Sequence, residues 1–207
     1  MKQYRRSKRR RQKRKFSELR RIILSILGIV LIGDIIGATM YLRQSYQMQE
    51  SLIQYMATGE SLSFLQTFWQ QFLYQFTIWI MGLTVIGNIV NLFLIFARGV
   101  SAGFNLAVLA QEVGTDGVGV IVIWLIQYML ILFTTILSVY FSIRFAYLVI
   151  KSLVKKKYKL IKKHLKRYAI QFVVIMVLTL FTSMVSTVTT PVVWGRLIRD
   201  TQVVIEI

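Results

Sequence analysis

Two ionisable side chains stand inside long apolar stretches of this sequence, Asp34 in GIVLIGDIIGATM and Arg98 in LFLIFARGVSAGFNL. In water either would be unremarkable, but at bilayer depth an ionisable group costs at least about 2.5 kcal/mol and so faces the protein interior, pairs, or marks a pathway. Small residues accompany both. Gly33 and Gly37 flank Asp34, and Gly99 and Gly103 follow Arg98. Each stretch thus carries a Gly-xxx-Gly face on which two helix backbones can approach closely. Asp34 lies 13 residues into its apolar run and Arg98 ten into its own. If both helices run in the same direction, that offset is within reach of an arginine side chain at about 1.5 Å per residue. An Asp34–Arg98 ion pair inside a bundle is the expectation. The competing readings are an Arg98 that snorkels to the interface and an Asp34 that meets water.

Other groups able to do chemistry are sparse. There is no cysteine, so a disulfide framework, a thiol nucleophile and a thiolate metal site are all excluded. The single histidine, His164, sits among lysines and reads as a solvated side chain. Glu112 and Asp116 share the segment AQEVGTDGVG, where a weak cation site or a general acid competes with ordinary surface acids of a glycine-rich turn; the turn is expected. Glu50 and Glu60 are ten residues apart with nothing to hold them together. No nucleotide, metal, haem or flavin motif is present. These absences predict a protein that is no enzyme and that carries no cofactor and no metal.

The elements that must position Asp34 and Arg98 follow from composition. Of 207 residues 56% are hydrophobic, with one proline, and mean hydropathy is +0.59. A crossing of roughly 30 Å needs about 20 apolar helical residues. Runs of that kind occur at 22–41, 71–86, 89–110, 118–150 and 170–190. The fold class expected is all-α, a polytopic integral membrane bundle of about five transmembrane helices. The fourth run is too long for one crossing, so a break near Gln127 is predicted, with a re-entrant piece after residue 117. A tight turn is predicted at Gly87-Asn88, between the second and third runs.

Charge sets the expected orientation. Of 26 Lys and Arg, 12 lie in the first 21 positions and nine more in 151–167. Lys and Arg in short loops stay in the cytoplasm. The expected organisation is therefore a basic cytoplasmic arm (1–21), a transmembrane domain (22–190) and a short external tail (191–207). The first apolar run is longer than a secretory signal core, so an uncleaved helix is expected. Directly before a membrane span the arm KQYRRSKRRRQKRK reads as a topology determinant that binds anionic lipid, with nucleic acid disfavoured. The second cluster, KKKYKLIKKHLKR, interleaves Lys with Tyr158, Leu160, Ile161 and Leu165 and predicts an amphipathic interfacial helix.

In the linker between the first two runs, Leu62, Leu65, Phe68 and Trp69 recur at helical spacing, with Ser63 and Gln66 placed to form a capping box. A helix lying on the membrane is expected there. Its apolar face meets either lipid or a protein partner.

From residue 22 to 191 the chain resembles the stage II sporulation protein M family of bacterial integral membrane proteins. The resemblance rests on GDIIGA, on a basic residue followed by Gly-x-x-x-Gly-Phe at Arg98, Gly99, Gly103 and Phe104, on a Gly loop bearing acids, and on a closing proline at Pro191. The chain departs from the family pattern at Asn88 and near Gln127, where prolines are expected, and at Ser186, where an acid is expected. The resemblance implies a multi-pass protein of the bacterial cell membrane. It implies a non-enzymatic scaffold that recruits extracytoplasmic, peptidoglycan-remodelling partners, as in engulfment during sporulation. The alternative it implies is a membrane subunit for peptide or bacteriocin export or immunity, working with a separate ATPase. Other envelope proteins and a second copy of the chain are the partners expected.

Overall fold

In the computed structural model residues 2–44, 48, 63–112, 118–154, 156 and 158–205 are described, with side chains omitted for 2–19, 112, 158–160 and 191–205. Glu50, Glu60, Leu62 and Asp116, and most of the linker and the Gly loop, lie outside the described residues. Those described form five helices, α1 (Lys2–Leu42), α2 (Phe64–Met81), α3 (Val85–Glu112), α4 (Val118–Val154) and α5 (Tyr158–Ile205). The chain is an all-helical membrane bundle, as its composition predicts.

Four segments are long and apolar enough to cross a membrane: Arg20–Leu42, Val85–Gln111, Val118–Val154 and Ile161–Thr190. The helix missing from that set is α2, whose 18 residues include Gln66, Gln70, Gln71 and Gln75. Packing nevertheless makes it a pass through the bundle. α1 and α3 run parallel, since Gly33 lies beside Gly99 and Gly37 beside Val100 and Phe104. A chain that leaves α1 at one end and enters α3 at the other must return, and α2 does so antiparallel to α3, with Ile78 against Asn91 and Tyr74 against Leu94. α4 then descends and α5 ascends, as the pairs Gln127 with Thr190 and Phe145 with Tyr168 require. The N-terminal arm and the α4–α5 turn at Lys156 therefore share one end of the bundle, called here the basic end.

Several local expectations are corrected. The helix at Leu65, Phe68 and Trp69 is not a separate surface helix. The Ser63–Gln66 capping box forms as its spacing predicts, but the helix it starts is α2 itself. The turn between α2 and α3 is at Gly82–Thr84 rather than Gly87-Asn88, because Gly82, Leu83 and Thr84 donate back to Ile78, Ile80 and Met81 while the Thr84 hydroxyl accepts from Gly87 N–H. α4 is continuous over 37 residues, with no break at Gln127 and no re-entrant piece. At 1.5 Å per residue it measures about 55 Å, so its ends project beyond the hydrocarbon. α5 joins the basic cluster to the last span in one helix, so the cluster is no separate interfacial helix, and it runs on through Pro191 to Ile205. A proline removes one ladder N–H, and here the turns on either side remain helical.

Two apolar clusters close the bundle. Toward the basic end and middle, Ile26 and Val30 of α1 meet Ile78, Ile95, Leu132 and Val139. At the far end Tyr41 meets Val108, Leu109 and Val120.

A polar cavity and hydrogen-bonded cross-links inside the bundle

Asp34 and Arg98 are brought to one level by the interlock of α1 with α3. A Cβ on Gly33 would stand 2.6 Å from the Phe96 carbonyl oxygen, and one on Gly99 2.6 Å from that of Val30. Gly37 and Gly103 are closer still, against the carbonyls of Val100 and Asp34. The two Gly-xxx-Gly faces predicted separately thus pack on each other, each helix backbone seated against its neighbour. Tyr41 then meets Phe104 edge to face, ring centroids 5.2 Å apart, extending the seam one turn further.

At this shared depth the expected ion pair does not form. The side chain of Asp34 accepts from the Tyr128 hydroxyl of α4 at 3.1 Å. Arg98 instead places its guanidinium carbon 4.5 Å from the centroid of the Tyr74 ring on α2. The helix interface is too close for both side chains to enter it, so each turns out along its own flank and meets an aromatic residue. Half-buried, Arg98 lines a cavity of about 450 Å³ with Tyr74, Ser101, Asn105, Trp124, Gln127 and Tyr128 among its walls. Among the described residues no carboxylate pairs with Arg98. The cavity occupies the half of the bundle remote from the basic end. Trp124 stacks on Tyr128 at 5.4 Å and 11°, and the Tyr74 hydroxyl donates to the Leu94 carbonyl, so its aromatic walls are held in place.

A second feature had no counterpart in the sequence reading. The glutamines that lower the hydropathy of α2 are its anchors. Gln75, buried, donates to Thr135 and accepts from Ser138 on α4. Gln71 donates to Ser186 and accepts from Thr182 and Ser183 on α5. Near the basic end Asn91 donates to the Ile78 carbonyl and to Ser142, and Ser142 donates to Asn88. At the far end Gln127 joins Thr189 and Thr190 of α5. That pairing explains why α4 need not break there, since the amide is satisfied without opening the helix ladder. Gln71 and Gln75 fall on one face of α2 at i and i+4, which is the signal that could have found them.

The interfacial candidates divide by exposure. Leu65 and Trp69, 73% and 58% exposed, lie on the outward face of α2, while Phe68 is half-buried in the row Phe64, Phe68, Phe72. His164 is not the solvated side chain expected. It is half-buried, and its Nδ1 is shielded with no hydrogen-bond partner among the described residues. No group of three or more His, Cys, Asp or Glu that could hold a metal occurs among the described residues.

Comparison with known proteins agrees with this architecture. The model of the family described as Stage II sporulation protein M matches residues 22–190, from the first span to the end of the last. No curated protein and no solved structure matches. The three positions where the chain departs from the expected pattern, Asn88, Gln127 and Ser186, all sit in the hydrogen-bonded cross-links.

Proposed function

Because the chain belongs to the stage II sporulation protein M family, we propose that it is a non-enzymatic membrane scaffold that positions envelope proteins acting outside the cytoplasmic membrane, peptidoglycan-remodelling proteins above all. It is a multi-pass protein of the bacterial cell membrane, with its basic end in the cytoplasm and its C-terminus outside. The orientation rests on the basic arm and the 151–167 cluster sharing one end of the bundle. The observation that carries the scaffold reading is the cation of Arg98. It is half-buried at membrane depth, faces a cavity rather than a carboxylate, and lies in the half of the bundle nearer the external face. An intramembrane arginine left to an aromatic ring has an electrostatic vacancy that an acidic or amide group on a partner's transmembrane segment fills. Leu65 and Trp69, exposed at the same end, extend that surface toward the membrane boundary, where tryptophan is at home.

The test is crosslinking in the host membrane from a photoreactive residue in place of Asn105, which lines the cavity. The expected adduct is an envelope protein with an extracytoplasmic wall-active domain. Its yield should fall severalfold in Arg98→Leu and in the Leu65→Glu, Trp69→Glu variant, with membrane insertion unchanged. Equal yields in all backgrounds would remove the cavity and the α2 face from the interaction. The second reading, a membrane subunit for peptide export or immunity, is favoured by the same cavity, since polar cavities with a charge near mid-membrane also serve transport. Recovery of an ATP-binding cassette protein, in place of a wall-active one, would select it.

A further inference from the structure

Toward the basic end, on the opposite half of the molecule from Arg98, a second cavity of about 310 Å³ is lined by α4 and α5. Its polar lining is Arg144 of α4 with His164, Arg167 and Gln171 of α5, and no acidic side chain contributes. Among the described residues neither arginine is paired with a carboxylate, and His164 Nδ1 is buried without a partner. The floor is rigid. Phe145 stacks on Tyr168 at 4.4 Å and 13°, and the Tyr168 hydroxyl is held by the Trp79 carbonyl. Toward the lipid the wall is apolar, formed by Phe141, Leu148 and a 57% exposed Ile170.

We propose that this cavity is a binding site for the phosphate headgroup of an anionic glycerophospholipid of the leaflet at the basic end. Arg144 and Arg167, both exposed, line the same cavity with the His164 ring and Gln171, and guanidinium matches phosphate oxygens through paired N–H donors. The apolar wall beside them continues into the exposed face of the bundle, so acyl chains leave the site along Ile170 without crossing polar surface. A free phosphate ion would satisfy the arginines but leave that wall unused, which is why the lipid is the occupant assigned. Basic pockets between transmembrane helices on the cytoplasmic side recognise lipid headgroups in this manner. The site is distinct from the diffuse attraction of the N-terminal arm because it has a fixed floor and a defined mouth. Bound there, the lipid bridges α4 and α5 in the half of the bundle at which the Lys156 turn joins them.

The full chain is reconstituted in phosphatidylcholine vesicles containing a minor fraction of phosphatidylglycerol, extracted in mild detergent, and its retained lipid measured by native mass spectrometry. Phosphatidylglycerol should be retained over phosphatidylcholine. In Arg144→Gln, Arg167→Gln the preference should fall roughly tenfold or more, at about one factor of five per basic contact near the surface. Leu148→Trp, which narrows the cavity without changing charge, should lower retention too. Replacing Arg9, Arg10 and Arg11 by Gln should leave the retained lipid in place. Undiminished retention in the double arginine variant would overturn the site, and loss confined to the arm variant would assign the lipid to the arm. Inorganic phosphate is the remaining arm: if it displaces the lipid and is itself retained without it, the occupant is a free anion and the lipid assignment fails.

Discussion

A carboxylate at membrane depth is stabilised here by one hydroxyl. Tyr128 donates to Asp34 at 3.1 Å, whereas Arg98 is engaged with Tyr74. Removing the hydroxyl leaves the half-buried carboxylate without that donor, and a group left without its partner costs more than the bond itself was worth. Tyr128→Phe should therefore lower stability in detergent by about 1–3 kcal/mol, read by thermal or SDS-induced unfolding. Adding Asp34→Leu to that variant should restore part of the loss, because the orphaned group is gone. Simple additivity of the two changes would show the contact to be energetically idle. Coupling of Asp34→Leu with Arg98→Leu should be the weaker of the two cycles, since those side chains share a level but not a bond.

Among the helices, α1 and α3 form the most extensive pair, and their seam is backbone against backbone. Any side chain at Gly37 would overlap the Val100 carbonyl, while a Cβ at Gly28, one further Gly on α1, meets nothing within 4 Å. Overpacking a tight contact costs about 1–3 kcal/mol, and glycine inside an open helix costs up to about 1 kcal/mol relative to alanine. Gly37→Ala is thus expected to reduce the yield of folded protein in the membrane and Gly28→Ala to leave it equal or higher, a contrast measurable by quantitative blotting and fluorescence-detected size exclusion. Similar behaviour of the two variants would mean that the helices are not locked at this seam. α2 relies on the opposite strategy. Lacking hydropathy, it is held through Gln71 and Gln75, each joined to hydroxyls of a neighbouring helix. Interhelical hydrogen bonds in membranes average about 0.6 kcal/mol and reach about 1.7, so the pair supplements the packing of the aromatic row from Phe72 through Phe76 to Trp79.

The five described helices alternate in direction, so residues 2 and 205 stand at opposite ends of the bundle. A reporter fused after residue 207 should be active only when exported, and one inserted at Lys156 only when cytoplasmic. Alkaline phosphatase and fluorescent protein fusions read the two locations. A cytoplasmic C-terminus would mean that α2 does not cross the membrane, and the cavity beside Arg98 could then not face external partners. The asymmetry of charge fits this arrangement, since the arm and the 151–167 cluster crowd one end and together hold 21 of the 26 basic residues.

Composition and pattern determined the solvent, the helical class, the end that carries the charge, and the glycine faces on which α1 and α3 touch. These are properties of single segments: hydropathy summed over about 20 residues, glycine at fourfold spacing, and Lys and Arg counted along the chain. The Ser63–Gln66 cap was equally local and equally legible. Partner choice was not. Which residue Asp34 meets depends on α4, whose Tyr128 is 94 positions away, and depth alone could not show that a backbone-tight seam excludes the very ion pair it aligns. A break is expected near Gln127 because the run 118–150 exceeds one crossing, and a short external tail is expected from Pro191. In the bundle the Gln127 amide finds Thr189 and Thr190 on α5 and α4 stays whole. His164 read as one more solvated member of a lysine run, yet it is half-buried and lines a cavity with Arg144 of α4 and Arg167 of α5. A hydrogen bond in hydrocarbon is satisfied by whatever lies across the interface, and only the tertiary arrangement decides what that is.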